Sequence, residues 1–186
     1  TRGLKITLRD EREGREQSFY FEGGIRSFAR YLNRNRKVLH SEPLYLEQQV
    51  DSAIIEVAIQ YTDGYAESAY AFANNINTVD GGTHLTGFRS ALTRTMNDYA
   101  RRNNYLKETD PSFSGGDVRE GLTAIISVKL TDPQFESQTK AKLGNAEVKG
   151  LVESVVSEAL SAFLEEDPRA AKAIIGKCLT AARARA

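Results

Sequence analysis

The chain has 186 residues, of which 25 are Lys or Arg and 25 are Asp or Glu, so its formal net charge is zero. Hydrophobic residues make up 40% and charged residues 27% of the chain, a composition typical of a folded domain and not of a disordered segment. This length predicts one domain with a substantial core. Zero net charge excludes a uniformly basic nucleic-acid binder but not local basic patches. No apolar run approaches the roughly 18 to 20 residues that span a bilayer.

The chain contains one cysteine, Cys178, and two histidines, His40 and His84. A single cysteine excludes an internal disulfide and fits a reducing compartment, and two histidines exclude a multi-histidine metal centre. Cys178 lies on the apolar stripe of a predicted helix, where a buried, unreactive thiol is the usual state. Residues 1–5 lack the pattern of a signal segment, so nothing indicates secretion. Because the chain starts inside a strand-like pattern without an initiator Met, we expect it to be part of a longer protein.

The first part of the chain predicts a hairpin, a helix and three strands. Apolar and polar residues alternate over 4–8, and strand-forming residues return at 18–21 after a charged turn. Apolar residues at helical spacing from Ile25 predict a helix that ends near residues 33–35. Further strands are predicted over 44–50, 53–61 and 68–72. An Asp-Gly turn at 63–64 favours pairing of the last two strands with each other.

The second part predicts three long helices and one buried strand. A polar loop over 74–78 leads through a Gly-rich turn to a helix over 85–102, and a polar connection follows. Residues 122–130 are the most apolar strand pattern and are predicted to be central in the sheet. Residues 131–145 are predicted to be a loop, with Asn145 as the N-cap of the next helix. Asp167 and Pro168 mark the start of the last helix. The pattern indicates one α+β unit with a helical tail.

Three segments could bind a phosphate group, and each has a structural alternative. Gln138, Lys140 and Lys142 lie in the 131–145 loop, which precedes a helix N-terminus, although a solvated polar loop is the better interpretation from composition alone. The Gly-rich turn 80–84 could bind an anion or could simply be a tight turn before Thr83 as N-cap. In that turn, His84 is more often a structural hydrogen-bonding residue than a catalyst.

The third segment is a set of basic rows on predicted helices. Arg89 and Arg101 lie on one row of the helix over 85–102, and Arg26, Arg30 and Arg34 lie on a row of the first helix. Such rows can contact phosphates without reading sequence, but a solvated helix face is the alternative. No nucleophile elbow, Walker loop or dinucleotide fingerprint is present, so the sequence contains no complete catalytic site.

Three strings carry a family resemblance, namely residues 74–89, 117–122 and 138–145. The string over 74–89 resembles a signature of bacterial type IIA topoisomerase B subunits, which belong to the GHKL ATPase superfamily. The other two match further signatures in the same order, and the resemblance extends over essentially the whole chain. The residues of these strings resemble the gyrase members more closely than the topoisomerase IV members.

The matching region is the transducer domain, so the resemblance implies an S5 domain 2-like α+β fold, a sandwich of a mostly antiparallel sheet with helices. It implies a transducer domain over 1–145 and C-terminal helices over 146–186 leading toward a Toprim domain. Gln138 and Lys140 resemble the residues that contact the γ-phosphate of ATP. Arg89 resembles a residue facing the DNA cavity, and we expect Arg101, on the same helical row, to face that cavity as well.

The resemblance also implies a function and a set of partners. The segment would couple ATP binding and hydrolysis to DNA strand passage and negative supercoiling, with ATP and Mg²⁺ used by the full-length protein and none expected on this chain alone. Partners would be its own ATPase and Toprim domains, the gyrase A protein in an A2B2 heterotetramer, and double-stranded DNA. We expect a cytoplasmic, nucleoid-associated bacterial protein whose isolated segment is monomeric and inactive. The alternatives are a stand-alone S5-like nucleic-acid-binding module and the topoisomerase IV equivalent.

Overall fold

A computed structural model describes residues 2–185. The fold consists of a separate two-stranded hairpin, a five-stranded sheet and five helices within those residues. In chain order the elements are β1 (Lys5–Asp10), β2 (Arg15–Tyr20), α1 (Ile25–Leu32), β3 (Leu44–Val50), β4 (Ala53–Tyr61), β5 (Ser68–Ala73), β6 (Ile76–Asn77), α2 (Thr83–Arg102), α3 (Gly115–Arg119), β7 (Leu122–Lys129), α4 (Ala146–Glu166) and α5 (Pro168–Arg185).

The main sheet has the strand order β3-β4-β7-β5-β6. Every neighbouring pair is antiparallel except β5 and β7, which run parallel. The predicted α+β class with a mostly antiparallel sheet is therefore confirmed. The prediction that β7 is central is confirmed as well, because its residues from Leu122 to Val128 are all buried. A strand covered on both faces needs apolar side chains on both, which gives the continuous apolar run seen in the sequence.

The predicted pairing of β5 with β4 is wrong, because β7 lies between them. After β4 the chain turns away at Thr62, whose backbone N–H donates to the carbonyl oxygen of Gly121 at 2.8 Å. Gly121 has a φ of 72°, and a Cβ at this position would lie 2.5 Å from the Thr62 carbonyl oxygen. This close approach brings the start of β7 against the end of β4 and so directs β5 to the far side of β7.

Two short elements were not predicted from the sequence. The two-residue strand β6 lies within the predicted polar loop, and the helix α3 lies at the end of the predicted polar connection. A capping box starts α3: the Ser114 hydroxyl accepts from the Asp117 N–H, and the Asp117 carboxylate accepts from the Ser114 N–H. The spacing of this Ser and Asp was therefore a usable signal for a helix start.

Helices cover both faces of the main sheet. Helix α1 packs on one face against Ala58 and Ile125, and α2 and α4 pack on the other, where the main core lies. Helices α2 and α4 cross at Gly87, where a Cβ would lie 2.4 Å from the carbonyl oxygen of Lys149. None of the helices described here is both long and apolar enough to cross a membrane.

The C-terminal helices belong to the same core as the sheet. Val152 and Leu160 of α4 and Ile174 and Cys178 of α5 are buried in one cluster with residues of β4 and β7. Burial raises the pKa of Cys178 to about 12, which confirms the prediction of a buried, unreactive thiol. The domain boundary after residue 145 stays a prediction. Residues on both sides of it are buried in the same core.

Candidate functional site

The loop over 131–145 is closed at its base by one buried side chain, Asn145. Its Oδ1 accepts from the backbone N–H of Gln134 at 2.6 Å, and its Nδ2 donates to the carbonyl oxygen of Asp132 at 3.1 Å. Asn145 occupies the N-cap position of α4, as predicted, but its side chain makes no cap bond to the helix N–H groups. The reason is that its acceptor oxygen, which a cap would direct at the helix N–H groups, is used by Gln134 instead.

Above this base the loop forms a short paired stem. Phe135 and Leu143 form an antiparallel bridge, and the N–H of Glu136 donates to the carbonyl oxygen of Lys142 at 3.0 Å. The Lys142 ammonium also lies 3.0 Å from the Glu136 carboxylate. Lys142 is therefore part of the stem, and its charge is paired within the loop.

The stem lies directly on the Gly-rich turn that precedes α2. The N–H of Leu143 donates to the carbonyl oxygen of Gly81, and the N–H of Thr83 donates to that of Leu143, both at 3.1 Å. Gly82 has a φ of 139°, and a Cβ there would lie 2.5 Å from the Leu143 carbonyl oxygen. Only glycine allows the stem to approach this closely. The turn and the loop, which are far apart in sequence, thus form one unit.

Neither sequence interpretation of the Gly-rich turn describes its structure fully. The N–H groups of Asp80 and Thr83, which an anion would need, donate to carbonyl oxygens of the loop. Gly82 and not Thr83 occupies the N-cap position, and the Thr83 hydroxyl makes no hydrogen bond with the described residues. The turn therefore anchors the loop.

His84 confirms the structural interpretation of this histidine. It is fully buried, and its Nε2 lies 3.1 Å from the Thr78 hydroxyl oxygen. That hydroxyl donates its proton to the Ala71 carbonyl oxygen, so the His84 Nε2 must be the donor. Burial lowers the pKa of His84 to about 4, which keeps the ring neutral near pH 7.

The tip of the loop presents Gln138 and Lys140 to solvent. The N–H of Lys140 donates to the Ser137 carbonyl oxygen at 3.0 Å, and the Ser137 and Thr139 hydroxyls are 2.7 Å apart, so the tip is a defined turn. Lys140 has a φ of 56°, and its ammonium lies 6.0 Å from the centroid of the Phe135 ring. Unlike Lys142, Lys140 makes no ion pair within residues 2–185.

An exposed ammonium and an exposed carboxamide are groups that can bind a phosphate. At about 4 Å, with an effective dielectric of about 20, one Lys attracts one phosphate charge by about 4 kcal/mol. Gln138 would add a hydrogen-bond donor of its own. Among residues 2–185, no three His, Cys, Asp or Glu side chains converge to hold a metal ion.

Arg89 is held by an acidic residue that the sequence analysis did not identify. Its Nη2 donates to Glu67 at 2.8 Å, and the Nε of Arg119 donates to the other oxygen of the same carboxylate at 3.2 Å. The Arg89 side chain is 40% exposed, so part of its guanidinium remains accessible. Glu67 precedes β5 in a loop, where no periodicity connects it to α2, so the sequence contained no signal for this pairing.

Arg101 lies on the same row but has a different environment. Its guanidinium donates to the carbonyl oxygens of Lys107 and Asp110 and to the Ser112 hydroxyl, at 2.7, 3.1 and 2.9 Å. These bonds hold the connection between α2 and α3 against the end of α2. The structure therefore does not bring Arg89 and Arg101 together with a common partner, and their role at DNA stays a prediction.

Comparisons with known proteins agree with this architecture. A family model described as DNA gyrase B matches residues 24–186. The chain belongs to the DNA gyrase B family. It is 56% identical over 185 residues to the gyrase B protein of Clostridium acetobutylicum, and the match covers 99% of this chain and 29% of that protein. The gyrase B protein of Bacillus mycoides is 51% identical over 185 residues, with 99% of this chain and 46% of that protein covered.

Solved structures of gyrase B and topoisomerase IV share the fold. The 43K ATPase domain of Thermus thermophilus gyrase B, crystallised with an aminocoumarin, superposes with a TM-score of 0.89 at 42% identity and covers 99% of this chain and 50% of its own. The topoisomerase IV ATP-binding domain of Francisella tularensis gives a TM-score of 0.80 at 26% identity and covers 98% of this chain and 49% of its own. The chain thus spans about half of each solved relative and less than half of the gyrase B proteins named above.

Proposed function

We propose that this chain is the transducer segment of a gyrase B protein. In this role it senses the terminal phosphate of ATP through Gln138 and Lys140 and couples ATP binding and hydrolysis to DNA strand passage and negative supercoiling. Membership of the gyrase B family supports the assignment. So does the match to half of a gyrase B chain whose solved region is an ATPase domain.

One observation carries the proposal: the 131–145 loop has a fixed base and an exposed, cationic tip. Asn145 and the Gly81–Gly82 turn hold the base, while Lys140 has no carboxylate partner in the described chain. ATP presents a terminal phosphate and ADP does not, so a lysine placed at that phosphate binds the two nucleotide states with different free energy. Such a difference is what a ligand needs in order to shift a conformational equilibrium.

Because the loop is anchored to the fold, a displacement of its tip can be transmitted to helices α2 and α4. Its stem bonds to the turn that starts α2, and its last residue, Asn145, directly precedes α4. A force on Lys140 would therefore act on the N-terminal ends of two helices that pack against each other. Helix α2 also carries Arg89, which we propose faces the transported DNA, and a shift of that helix would move it.

Further parts of the proposal concern the intact protein. We propose that the ATPase and Toprim domains, the gyrase A protein and double-stranded DNA are its partners, and that ATP and Mg²⁺ act in the full-length protein. We also propose that residues 1–145 form the transducer unit, that residues 146–186 lead toward the Toprim domain, and that the protein is cytoplasmic. The chain alone should be monomeric and without ATPase activity, because the phosphate contact is only one part of a nucleotide site.

The test is Lys140→Ala in the full-length protein, assayed together with gyrase A for ATP turnover and supercoiling. We expect ATP turnover to fall by about a hundredfold, the scale seen when one preorganised contact to a reacting group is removed. Lys142→Ala is the matched control, because this lysine lies two residues away but is paired with Glu136. It should retain activity within about twofold. Normal ATP turnover in Lys140→Ala would contradict the proposal.

A further inference from the structure

Helix α1 and the segment after it form the most one-sidedly charged part of the chain. Residues 23–41 contain no Asp or Glu. They contain five basic residues, all exposed, which are Arg26, Arg30, Arg34, Arg36 and Lys37. Arg30 is paired with Glu42, so the excess of positive charge is concentrated over residues 34–37, where the zero net charge of the whole chain conceals it.

The segment over 34–37, which we call the basic strap, is held in place at both ends. Before it, the buried Asn33 donates to the Gln60 side chain at 2.9 Å and accepts from the Thr123 hydroxyl at 2.8 Å. After it, the N–H of Leu39 donates to the Tyr61 carbonyl oxygen at 2.8 Å. The strap is therefore a short exposed segment pinned to β4 and β7. Its cations are preorganised, which lowers the entropic cost of binding a ligand.

The two arginine side chains of the strap are held in place by contacts that do not neutralise their positive charge. The Arg34 guanidinium lies 4.0 Å from the centroid of the Tyr31 ring, and the Arg36 Nη1 donates to the Ser68 hydroxyl at 3.0 Å. Neither arginine makes an ion pair in the part of the chain that the structure describes. Lys37 is 82% exposed on its side chain, and its ion pair with Asp63, at 3.9 Å, is the longest among the described residues. Arg34 and Arg36 are thus unpaired, and Lys37 is held only by a long, exposed ion pair that an anion can replace.

The strap lies next to the position of Arg89, although α1 and α2 pack on opposite faces of the sheet. Arg36 bonds to Ser68, and the residue before it, Glu67, holds Arg89 and Arg119. The two basic regions therefore meet at the start of β5. A long polyanion passing this end of the sheet could contact both.

We propose that the basic strap is a second, sequence-independent binding surface for the phosphate backbone of duplex DNA. Arg34, Arg36 and Lys37 provide the phosphate contacts, and the strap offers no element that could enter a groove and read bases. A duplex provides the repeated charges that closely spaced cations require, and the family to which the chain belongs is named for DNA. This surface needs neither the Lys140 contact nor Arg89, so it is independent of the proposed ATP sensing.

The test uses this chain and a fluorescein-labelled 20-base-pair duplex, with binding followed by fluorescence anisotropy at several KCl concentrations. The variant Arg34→Gln/Arg36→Gln/Lys37→Gln removes three cations. Because each phosphate contact contributes about −0.9 to the slope of log K against log salt, we expect the magnitude of the slope to fall by about 2 to 3. At about 100 mM salt, affinity should fall at least tenfold.

The matched control is Arg9→Gln/Arg12→Gln/Arg15→Gln, which removes the same charge from the hairpin β1–β2, where each arginine is paired with a local acid. It should leave the slope within about 0.5 of the original value. An equal fall in both triple variants would reduce the effect to net charge and overturn the proposal, as would absence of DNA binding by the original chain.

Arg34→Lys/Arg36→Lys retains the charge and should retain the slope, which separates loss of contact from misfolding. If Arg89→Gln lowers the slope and the strap variant does not, the DNA role of Arg89 stands and the strap proposal fails.

Discussion

At the base of the 131–145 loop, Leu143 and Asn145 are buried and hydrogen-bonded to the rest of the fold, whereas at the tip Gln138 and Lys140 are exposed and Lys140 is unpaired within the described residues. The base thus uses its polar groups for stability, and the tip leaves its polar groups free for a ligand. Residue type alone does not distinguish Asn145 at the base from Gln138 at the tip, because both side chains are carboxamides. The comparison implies that substitutions at the base should change folding stability, and substitutions at the tip should change activity alone.

The largest effect on stability should come from Gly82→Ala. The φ of 139° and the position of a Cβ 2.5 Å from the Leu143 carbonyl oxygen require the loop stem to move away from the turn. We expect a loss of about 3 kcal/mol or more in the free energy of unfolding, measured by urea denaturation. Gly144→Ala is the control in the same loop, because a Cβ there meets nothing closer than 3.5 Å. Equal stability of the two variants would refute the anchoring role of the turn.

The next effect should come from Asn145→Ala. The change leaves the N–H of Gln134 and the carbonyl oxygen of Asp132 without their partner at a partly buried site. We expect a loss of about 2 kcal/mol in the free energy of unfolding. Asn35→Ala, at an exposed position, should change stability by less than about 0.5 kcal/mol. If Asn145→Ala proves as harmless as Asn35→Ala, the base of the loop is not held as the structure indicates.

A smaller effect concerns pH, through His84 beside the anchoring turn. Burial lowers its pKa from 6.5 to about 4 in the folded state. Above pH 6.5 the ring is neutral in both states and its contribution to stability is complete. As pH falls from 6.5 toward 4 the unfolded chain binds a proton that the folded chain does not, so stability decreases. Between pH 7 and 5.5 the loss should be about 1 kcal/mol, and His84→Gln should show a shallower decrease. An unchanged slope in the variant would contradict the burial of a neutral ring.

The sequence predicted most of the helices and strands because their signals are local. Apolar periodicity identified α2, α4 and α5, and the continuous apolar run identified β7 as the central strand. The pairing of β5 depended on a contact between Thr62 and Gly121, which are distant in sequence, and no local pattern reports such a contact.

The same contrast between local signals and distant contacts applies to the candidate site. The family resemblance predicts a phosphate contact for Gln138 and Lys140, and that contact stays a prediction. The interpretation of the Gly-rich turn as a cap or an anion site missed that Leu143 lies on it. Arg89 and Arg101 looked equivalent on their shared row, yet Glu67 holds one and a loop backbone accepts from the other. Periodicity places side chains on a face of a helix, and the partners of those side chains come from elsewhere in the chain.

The central claim is that Lys140 distinguishes nucleotides by their terminal phosphate. The most direct measurement is the ratio of affinities for a non-hydrolysable ATP analogue and for ADP, determined by calorimetry on the full-length protein and its Lys140→Ala variant. The account predicts that the variant loses at least about tenfold in analogue affinity, equivalent to about 1.4 kcal/mol, while its ADP affinity and its thermal stability stay unchanged. An unchanged ratio, or an equal loss of both affinities, would contradict it.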